Sequence, residues 1–314
     1  MILVAGSANL DFVVRADHIP APGETVLGRD FQTFPGGKGA NQAVACARAG
    51  AASTHMLLAL GRDAFAQPLE ASLQAAGVQM HIARQADAAS GTAFICLSSS
   101  GENAITVAPG ANACLRAEHL PPLAGFTHLL LQLETPLDTV SAYARAARAA
   151  GVTVVLNAAP AQVLPAELLG LVDILVVNEG ELATVARHAG SVAEGLAHLQ
   201  QQGLPTVVVT LGAQGCCAQH GAHWYVQPAF AVATVDTTAA GDTFCGALVA
   251  ALSQDHSLAQ ALRYASAAAA LACTRLGAQS SIPEAAEVNA LLHQQTDTNT
   301  PERLAALRAT CGLS

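Results

Sequence analysis

The chain has 314 residues, 52% hydrophobic and 12% charged, with a formal net charge of −9. That length allows two modest domains or one large α/β domain, and so apolar a composition is far from that of a disordered chain. With 14 Lys+Arg against 23 Asp+Glu, the balance speaks against a broad basic footprint for DNA or RNA.

Short apolar runs at 2–5, 55–59, 128–131, 152–156, 174–177 and 206–210 predict buried strands. Helical spacing of Ala, Leu and Val fills 41–49, 64–76, 137–149 and 179–189, and Gly50, Gly77, Gly151 and Gly203 stand where these helices and the one before strand 206–210 should stop. Strands alternating with helices predict one α/β domain over 1–314, with a parallel sheet covered on both faces. Two segments break the alternation. Residues 12–34 hold Pro20, Pro22, Gly23 and Gly28, and residues 91–108 alternate around a Ser-Ser-Ser-Gly turn. Both read as antiparallel β structure inserted at the edge of the scaffold, a natural place for a lid or for an ordinary surface hairpin. The tail 295–314 reads as an exposed loop followed by a terminal helix over 302–308. The N-terminal apolar run is too short for a signal peptide, and the Ala-rich 264–272 is too short for a membrane span, so the expected location is the cytoplasm.

Eight cysteines include no C-x-x-C, which removes the main signal for zinc ribbons and thioredoxin-like sites. Gly-x-Gly-x-x-Gly, a Walker A sequence, Gly-x-Ser-x-Gly and His-Glu-x-x-His are all missing. Lys38, the single lysine, lies in Pro35-Gly36-Gly37-Lys38-Gly39-Ala40-Asn41.

Three constellations suggest chemistry. Asp236-Thr237-Thr238-Ala239-Ala240-Gly241-Asp242-Thr243-Phe244 leads into an apolar helical run to Leu252. Small residues at a helix start leave backbone N–H groups bare for an anion such as a phosphate. Asp242 in that first turn could take a proton from a hydroxyl attacking phosphorus, or could simply stabilise the helix dipole. Gly6-Ser7-Ala8-Asn9-Leu10-Asp11 follows the first strand, where ligands bind in open α/β sheets. Asn9 and Asp11, two apart in an extended segment, share a side and suit the hydroxyls of a sugar, or form a polar turn. Gly36–Asn41 adds backbone that a ligand can approach closely.

In chain order these motifs resemble the PfkB carbohydrate kinase family from Gly6 to Pro283. The resemblance includes Pro-Gly-Glu-Thr-Val (22–26), Gly-Gly-Lys-Gly-Ala-Asn-Gln-Ala (36–43), Gly-Ala-Asn (110–112) and Gln-Leu-Glu-Thr-Pro-Leu (132–137). It continues through Asn-Ala-Ala-Pro-Ala (157–161), Asn-Glu-Gly-Glu (178–181), Thr-Leu-Gly-Ala-Gln-Gly (210–215) and Thr-Arg-Leu-Gly-Ala-Gln (274–279). It implies a three-layer α/β/α sandwich with a mostly parallel sheet, and a small β-sheet lid from 12–34 and 91–108 that pairs two subunits as a homodimer. It implies ATP-dependent phosphorylation of D-ribose at O5. Another sugar or a nucleoside, such as deoxyribose or pseudouridine, is the alternative, and a non-catalytic sugar-binding protein is the reading from another class.

The resemblance also assigns roles. Asn9, Leu10, Asp11, Gly37, Lys38, Gly39, Ala40, Asn41 and Glu134 would hold the sugar beside Asp242. Asp242 would be the base, with Ala239, Ala240 and Gly241 as the anion hole. Asn178, Thr210, Leu211, Gly212, Ala213, Gln214, Gly215, Gly241, Asp242 and Ser266 would meet ATP. Asn178 and Glu181 would position Mg2+. Asp236, Thr238, Ala272, Arg275, Gly277 and Ser281 would hold K+ as a monovalent activator. Ser266 stands where relatives can carry His, Cys245 where Asn is frequent, and Ala158 and Gly180 replace Pro and Thr.

Overall fold

A computed structural model describes residues 1–100 and 102–313. Gly101, which closes the Ser-Ser-Ser-Gly turn expected from the sequence, and Ser314 lie outside the described residues. The first part of the chain gives strands β1 (Ile2–Ala5), β2 (Asn9–Ala16) and β3 (Arg29–Gly36), helix α1 (Lys38–Ala47), β4 (Thr54–Leu60), α2 (Ala66–Ala75), β5 (Gln79–Arg84), β6 (Gly91–Ser98) and β7 (Asn103–Ala108). Then come β8 (His128–Leu131), α3 (Leu137–Ala149), β9 (Thr153–Asn157), α4 (Ala166–Leu169), β10 (Ile174–Asn178), α5 (Glu179–Ala186), α6 (Val192–Gln201) and β11 (Thr206–Thr210). The chain ends with β12 (Gly215–His220), β13 (His223–Pro228), α7 (Ala240–Ser253), α8 (Leu258–Ala272), α9 (Ala285–Gln294) and α10 (Pro301–Thr310).

Nine of these strands form one sheet in the order β13-β12-β11-β10-β9-β8-β1-β4-β5. It is parallel except where β12 pairs antiparallel with β11 and β13. Alternation along each strand divides its side chains between two helical layers. Ile2, Val4, Leu130 and Val208 face a core shared with α1, α7 and α8. Leu3, Ala5, Leu129, Leu131, Val207 and Val209 face a core shared with α3, α5 and α6. Burial on both faces explains why these strands read as unbroken apolar runs. No helix among the described residues is long and apolar enough to cross a membrane.

The inserted segments pair with each other in a second sheet of order β3-β2-β6-β7. The sequence predicts antiparallel structure, and β2·β3 and β6·β7 are antiparallel. The joining pair β2·β6 is parallel, from Asn9↔Gly91 to Ala16↔Ser98. A single-segment reading cannot find this contact, because it joins two insertions separated by two strands and two helices. The terminal helix runs over Pro301–Thr310 rather than 302–308, and the tail is partly buried through Leu307 and Cys311.

Two close backbone approaches place the later site. β1 lies between β8 and β4, so the chain leaves the sheet in opposite directions on its two sides, and a crevice opens beyond its carboxyl end. Across it, a Cβ on Gly246 of α7 would lie 2.5 Å from the Ala45 side chain and from the Gln42 carbonyl. Glycine there lets α1 and α7 touch. Gly50 acts likewise, because its Cβ would meet Ala250 at 2.1 Å. The left-handed residue after α1 is Ala51 (φ 48°), whereas Gly77, Gly151 and Gly203 have the positive φ expected of helix stops.

Candidate active site

Asp242 is the third residue of α7 and is buried. Both of its carboxylate oxygens are held by α1. The Asn41 side-chain amide donates to Oδ2 at 2.9 Å, and Gln42 Nε2 donates to Oδ1 at 2.9 Å. Gln42 is itself fixed: Nε2 also donates to Asn157 Oδ1 at 3.0 Å, and Oε1 accepts from Gln132 Nε2 at 2.6 Å. Asn41 Oδ1 is buried with no hydrogen-bond partner among the described residues. A buried acceptor of this kind suits a ligand hydroxyl.

The turn before α7 carries backbone strain. Ala239, its N-cap, is left-handed at φ 58°, a conformation that costs a non-glycine residue roughly 1–2 kcal/mol. Thr243 N–H donates to the Ala239 carbonyl at 2.8 Å, and Ala240 N–H to Thr237 O at 3.2 Å. The Gly241 and Asp242 amides lie in the first turn, ahead of any intrahelical acceptor. The helix thus presents two bare N–H groups and its positive end beside a carboxylate.

The second wall is the β1–β2 crossing. Asn9 is buried, and its Oδ1 accepts from Asn112 Nδ2 at 2.8 Å, while Asn112 also exchanges hydrogen bonds with the Ala8 backbone. Glu134 accepts from Ser7 Oγ at 2.5 Å and from the Lys38 N–H at 3.1 Å. Gly37 (φ 89°) could carry no side chain, because a Cβ would lie 2.7 Å from the Asn9 nitrogen. Asp11 faces the same space, and its pKa is pushed up to about 7, by burial first and then by the charges of Glu134 and Asp242. The lone lysine answers these acids. Lys38 is held above its ordinary pKa chiefly by Asp242, against the cost of its burial, with help from Glu134 and Glu181.

Lys38, Asn157, Asn178, Glu181, Cys245 and Asp242 line a cavity of about 160 Å3. Asn178 and Glu181 form a reciprocal cap at the start of α5, Asn178 N–H to Glu181 Oε2 and Glu181 N–H to Asn178 Oδ1, both 2.8 Å. Burial raises the Glu181 pKa. A larger cleft of about 370 Å3 adjoins it, lined by Thr210, Gly212, Ala213, Gly215, Phe230, Gly241, Ser266 and Ala269 among others. Thr210 and Gly241 line both spaces.

The structure therefore brings most of the expected residues to one crevice. Leu10 and Leu211 point their side chains into the two cores, which leaves only their backbone to meet a ligand. Gln214 is exposed and outside the cleft lining, and its carbonyl accepts from the Ala229 N–H at 3.2 Å. In the Asp236 loop, Oδ1 accepts from the Thr238 N–H (2.9 Å) and hydroxyl (2.7 Å), and Oδ2 from the Gly277 N–H (3.0 Å). Burial works against ionisation of Asp236, but these hydrogen bonds outweigh it and hold the carboxyl below its ordinary range. The Arg275 guanidinium turns away to Glu287, and Ser281 Oγ donates to Ala278 O at 2.8 Å. Four further residues support the site: Ser7, Gln42, Asn112 and Asn157. Each lies inside a motif read from the sequence. Their marker is a buried polar side chain, which only the folded chain reveals.

Residues 1–285 match the family described as pfkB family carbohydrate kinase. The chain is 40% identical over 291 residues to the ribokinase of Haemophilus influenzae, covering 90% of this chain and 95% of that one. It is similar to the crystal structure of ribokinase from Thermotoga maritima, with a TM-score of 0.86 and 36% identity over 93% of this chain and 99% of the other. It is also similar to Arabidopsis thaliana ribokinase complexed with ribose and ATP, with a TM-score of 0.85 and 33% identity over 93% and 98% of the two chains.

The Asp11 shift has a consequence for stability. The native state keeps this proton between the ordinary value of 3.8 and about 7, a window in which the unfolded chain has released it. Stability is therefore lost as pH rises through that window. Asp11→Asn is expected to flatten the fall in Tm between pH 4 and 8, read by thermal melts of the ligand-free protein; parallel curves for the two proteins would refute the assignment.

Proposed function

The chain belongs to the pfkB family of carbohydrate kinases, and from that premise we propose that it transfers the γ-phosphoryl group of ATP to O5 of D-ribose, giving D-ribose 5-phosphate and ADP. One observation carries this reading: Asp242 sits where the small polar cavity meets the larger cleft, at a helix start that both share. The sugar fits beside Asp242 against the β1–β2 wall, outside the small cavity's own lining, where Asn9, Asp11, Asn41 and Glu134 offer acceptors for its hydroxyls. ATP fits the mostly apolar cleft, with Ser266 and Phe230 toward the base. The O5 hydroxyl gives its proton to Asp242 as the oxygen bonds to phosphorus, and the bond to ADP breaks. The amides of the α7 start meet the charge that grows on the phosphoryl oxygens. Asn41 and Gln42 keep the carboxylate aimed while leaving it lone pairs for the hydroxyl.

Among the described residues no group of three or more His, Cys, Asp or Glu side chains could hold a metal ion. A magnesium ion would thus be held mainly by phosphates and water, with the oxygen donors of Asn178 and Glu181 facing it, and would neutralise phosphate charge. ATP as the donor suits a cytoplasmic location. Asp242→Asn is expected to lower kcat by about 10²–10⁴-fold while calorimetry still detects ribose binding. ADP release over ribose, deoxyribose and pseudouridine tests the substrate. No turnover on any of them, or near wild-type turnover by Asp242→Asn, would sink the reading.

We propose potassium as an activator at the Asp236 loop. One carboxylate beside backbone carbonyls of 272–281 is a donor set for a large, weakly hydrated cation, and the 237–241 backbone it would brace leads into α7. Turnover at fixed ionic strength is expected to be higher in potassium than in sodium or a bulky organic cation. Equal turnover in all three would reject the cation site and leave the kinase reading standing.

We also propose that the β3-β2-β6-β7 sheet is a lid that pairs two copies of the chain. Its edge strand β7 is exposed along its length, with Ile105 at 55%, and Phe31 (63%) and Phe94 (54%) stack on Phe12 in the open. Open edges and exposed rings invite a second copy. Light scattering is expected to give a dimer at assay concentration; a fully active monomer would contradict the pairing.

A further inference from the structure

The chain continues past residue 285, where the family match ends. α9 is followed by a short helical turn, Thr296–Asn299, and α10. This C-terminal segment is anchored rather than loose. Leu307 and Cys311 are buried in the second core, and the Ala193 N–H donates to the Cys311 carbonyl at 2.9 Å.

Its polar contacts converge on residues 227–231, where β13 ends and one wall of the larger cleft begins. Gln227 and Asn299 exchange amide hydrogen bonds, Nε2 to Oδ1 at 2.9 Å and Nδ2 to Oε1 at 3.2 Å. Arg303 Nη2 donates to the Ala229 carbonyl. Gln295 Nε2 donates to the Ala231 carbonyl at 3.0 Å. Between them lies buried Phe230, with the Arg263 guanidinium 5.1 Å from its ring centroid, and Arg263 Nη2 donates to the Gln295 carbonyl at 2.9 Å. Ala229, Phe230 and Ala231 all line the cleft. Three successive wall residues are thus held from behind, two of them by the C-terminal segment itself. The wall lies beyond β13 and belongs to no helix or strand, so its backbone is restricted by these donors together with the Ala229 N–H bond to the Gln214 carbonyl.

We propose that the C-terminal segment, through Gln295, Asn299 and Arg303, positions this wall and so sets the affinity of the cleft for its nucleotide. The proposal rests on the reading that the cleft takes ATP. A wall ordered before binding spares the ligand the cost of ordering it. Gln295 and Arg303 lie behind the wall and act as positioning residues.

The test uses the full chain with Arg303→Ala, Gln295→Ala and Arg303→Lys, read by calorimetric titration of ATP and of ribose, steady-state kinetics and thermal melts. Each alanine variant is expected to bind ATP about five- to tenfold more weakly, as befits one lost hydrogen bond. KM for ATP should rise by the same factor, with kcat and the ribose KM unchanged. Arg303→Lys, which keeps a charged donor, should recover part of the loss. Unchanged ATP affinity in both alanine variants, whether Tm falls or not, overturns the proposal, as does a loss of kcat with KM unmoved. Ala213→Trp, which fills the cleft from its exposed rim, tests the underlying reading separately. If it leaves ATP affinity unaltered, the nucleotide lies elsewhere and both ideas fall; if it weakens ATP while the tail variants do not, only the positioning role fails.

Discussion

The site depends on a carboxylate gripped between two helices. Asp242 has its oxygens tied one each to Asn41 and Gln42, neighbours on α1. Two side chains adjacent on a helix diverge by about 100°, so both can reach one carboxylate only if it lies close against α1, between them. Gly246 makes that possible by letting the backbones of α1 and α7 touch. The same contact aims the α7 amides into the crevice. A larger residue at 246 would part the helices and release the carboxylate from one or both amides.

Much of the fold was legible because burial on both faces leaves a crude signal. The strands at 2–5 and 128–131 have the limits that the sequence predicts, since Gly6 and Gln132 end the two apolar runs sharply. The edge strands were harder. β5 mixes Gln79, His81 and Arg84 with apolar residues, β12 has only Cys216, Cys217 and Ala218 between Gly215 and Gln219, and β13 only Trp224, Tyr225 and Val226 between His223 and Gln227, so no long apolar run stands out. α1 begins at Lys38, three residues before the spacing predicted, because Gly37 and Gly39 look like a loop until their approach to Asn9 and Ser7 is known.

The candidate site shows the same division. Lys38 and Asp242, each next to a glycine, could be picked out because small neighbours mark a place where something approaches, and Asn9 and Asp11 because, two apart in an extended segment after the first strand, they share a side. Gln42 and Asn112 could not be ranked on that ground. A glutamine flanked by Asn41 and Ala43 looks like any polar helical residue, yet Gln42 is fully buried and joins Gln132, Asn157 and Asp242. A polar network is a property of three or four distant segments, and one chain position carries no trace of it.

Charge supplies the last constraint. Asp242, Glu134 and Glu181 lie around the single ammonium of Lys38, and Asp11 lies near Glu134 and Asp242. Burial first, and then the charges of Glu134 and Asp242, push the Asp11 pKa up to about 7, so its proton is retained well above the ordinary carboxylate range. A protonated carboxyl donates as well as accepts, so Asp11 can meet a sugar hydroxyl in either sense. Lys38, held charged chiefly by Asp242 and then by Glu134 and Glu181, lines the small cavity with Asn178 and Glu181, the side on which the proposed reading brings the phosphates. On the proposed reading the crevice is thus polarised before any ligand enters, with spare acceptors toward the sugar and bare amides with one cation toward the phosphates. That asymmetry, rather than any single residue, distinguishes a phosphoryl-transfer site from a sugar-binding cleft on the same scaffold.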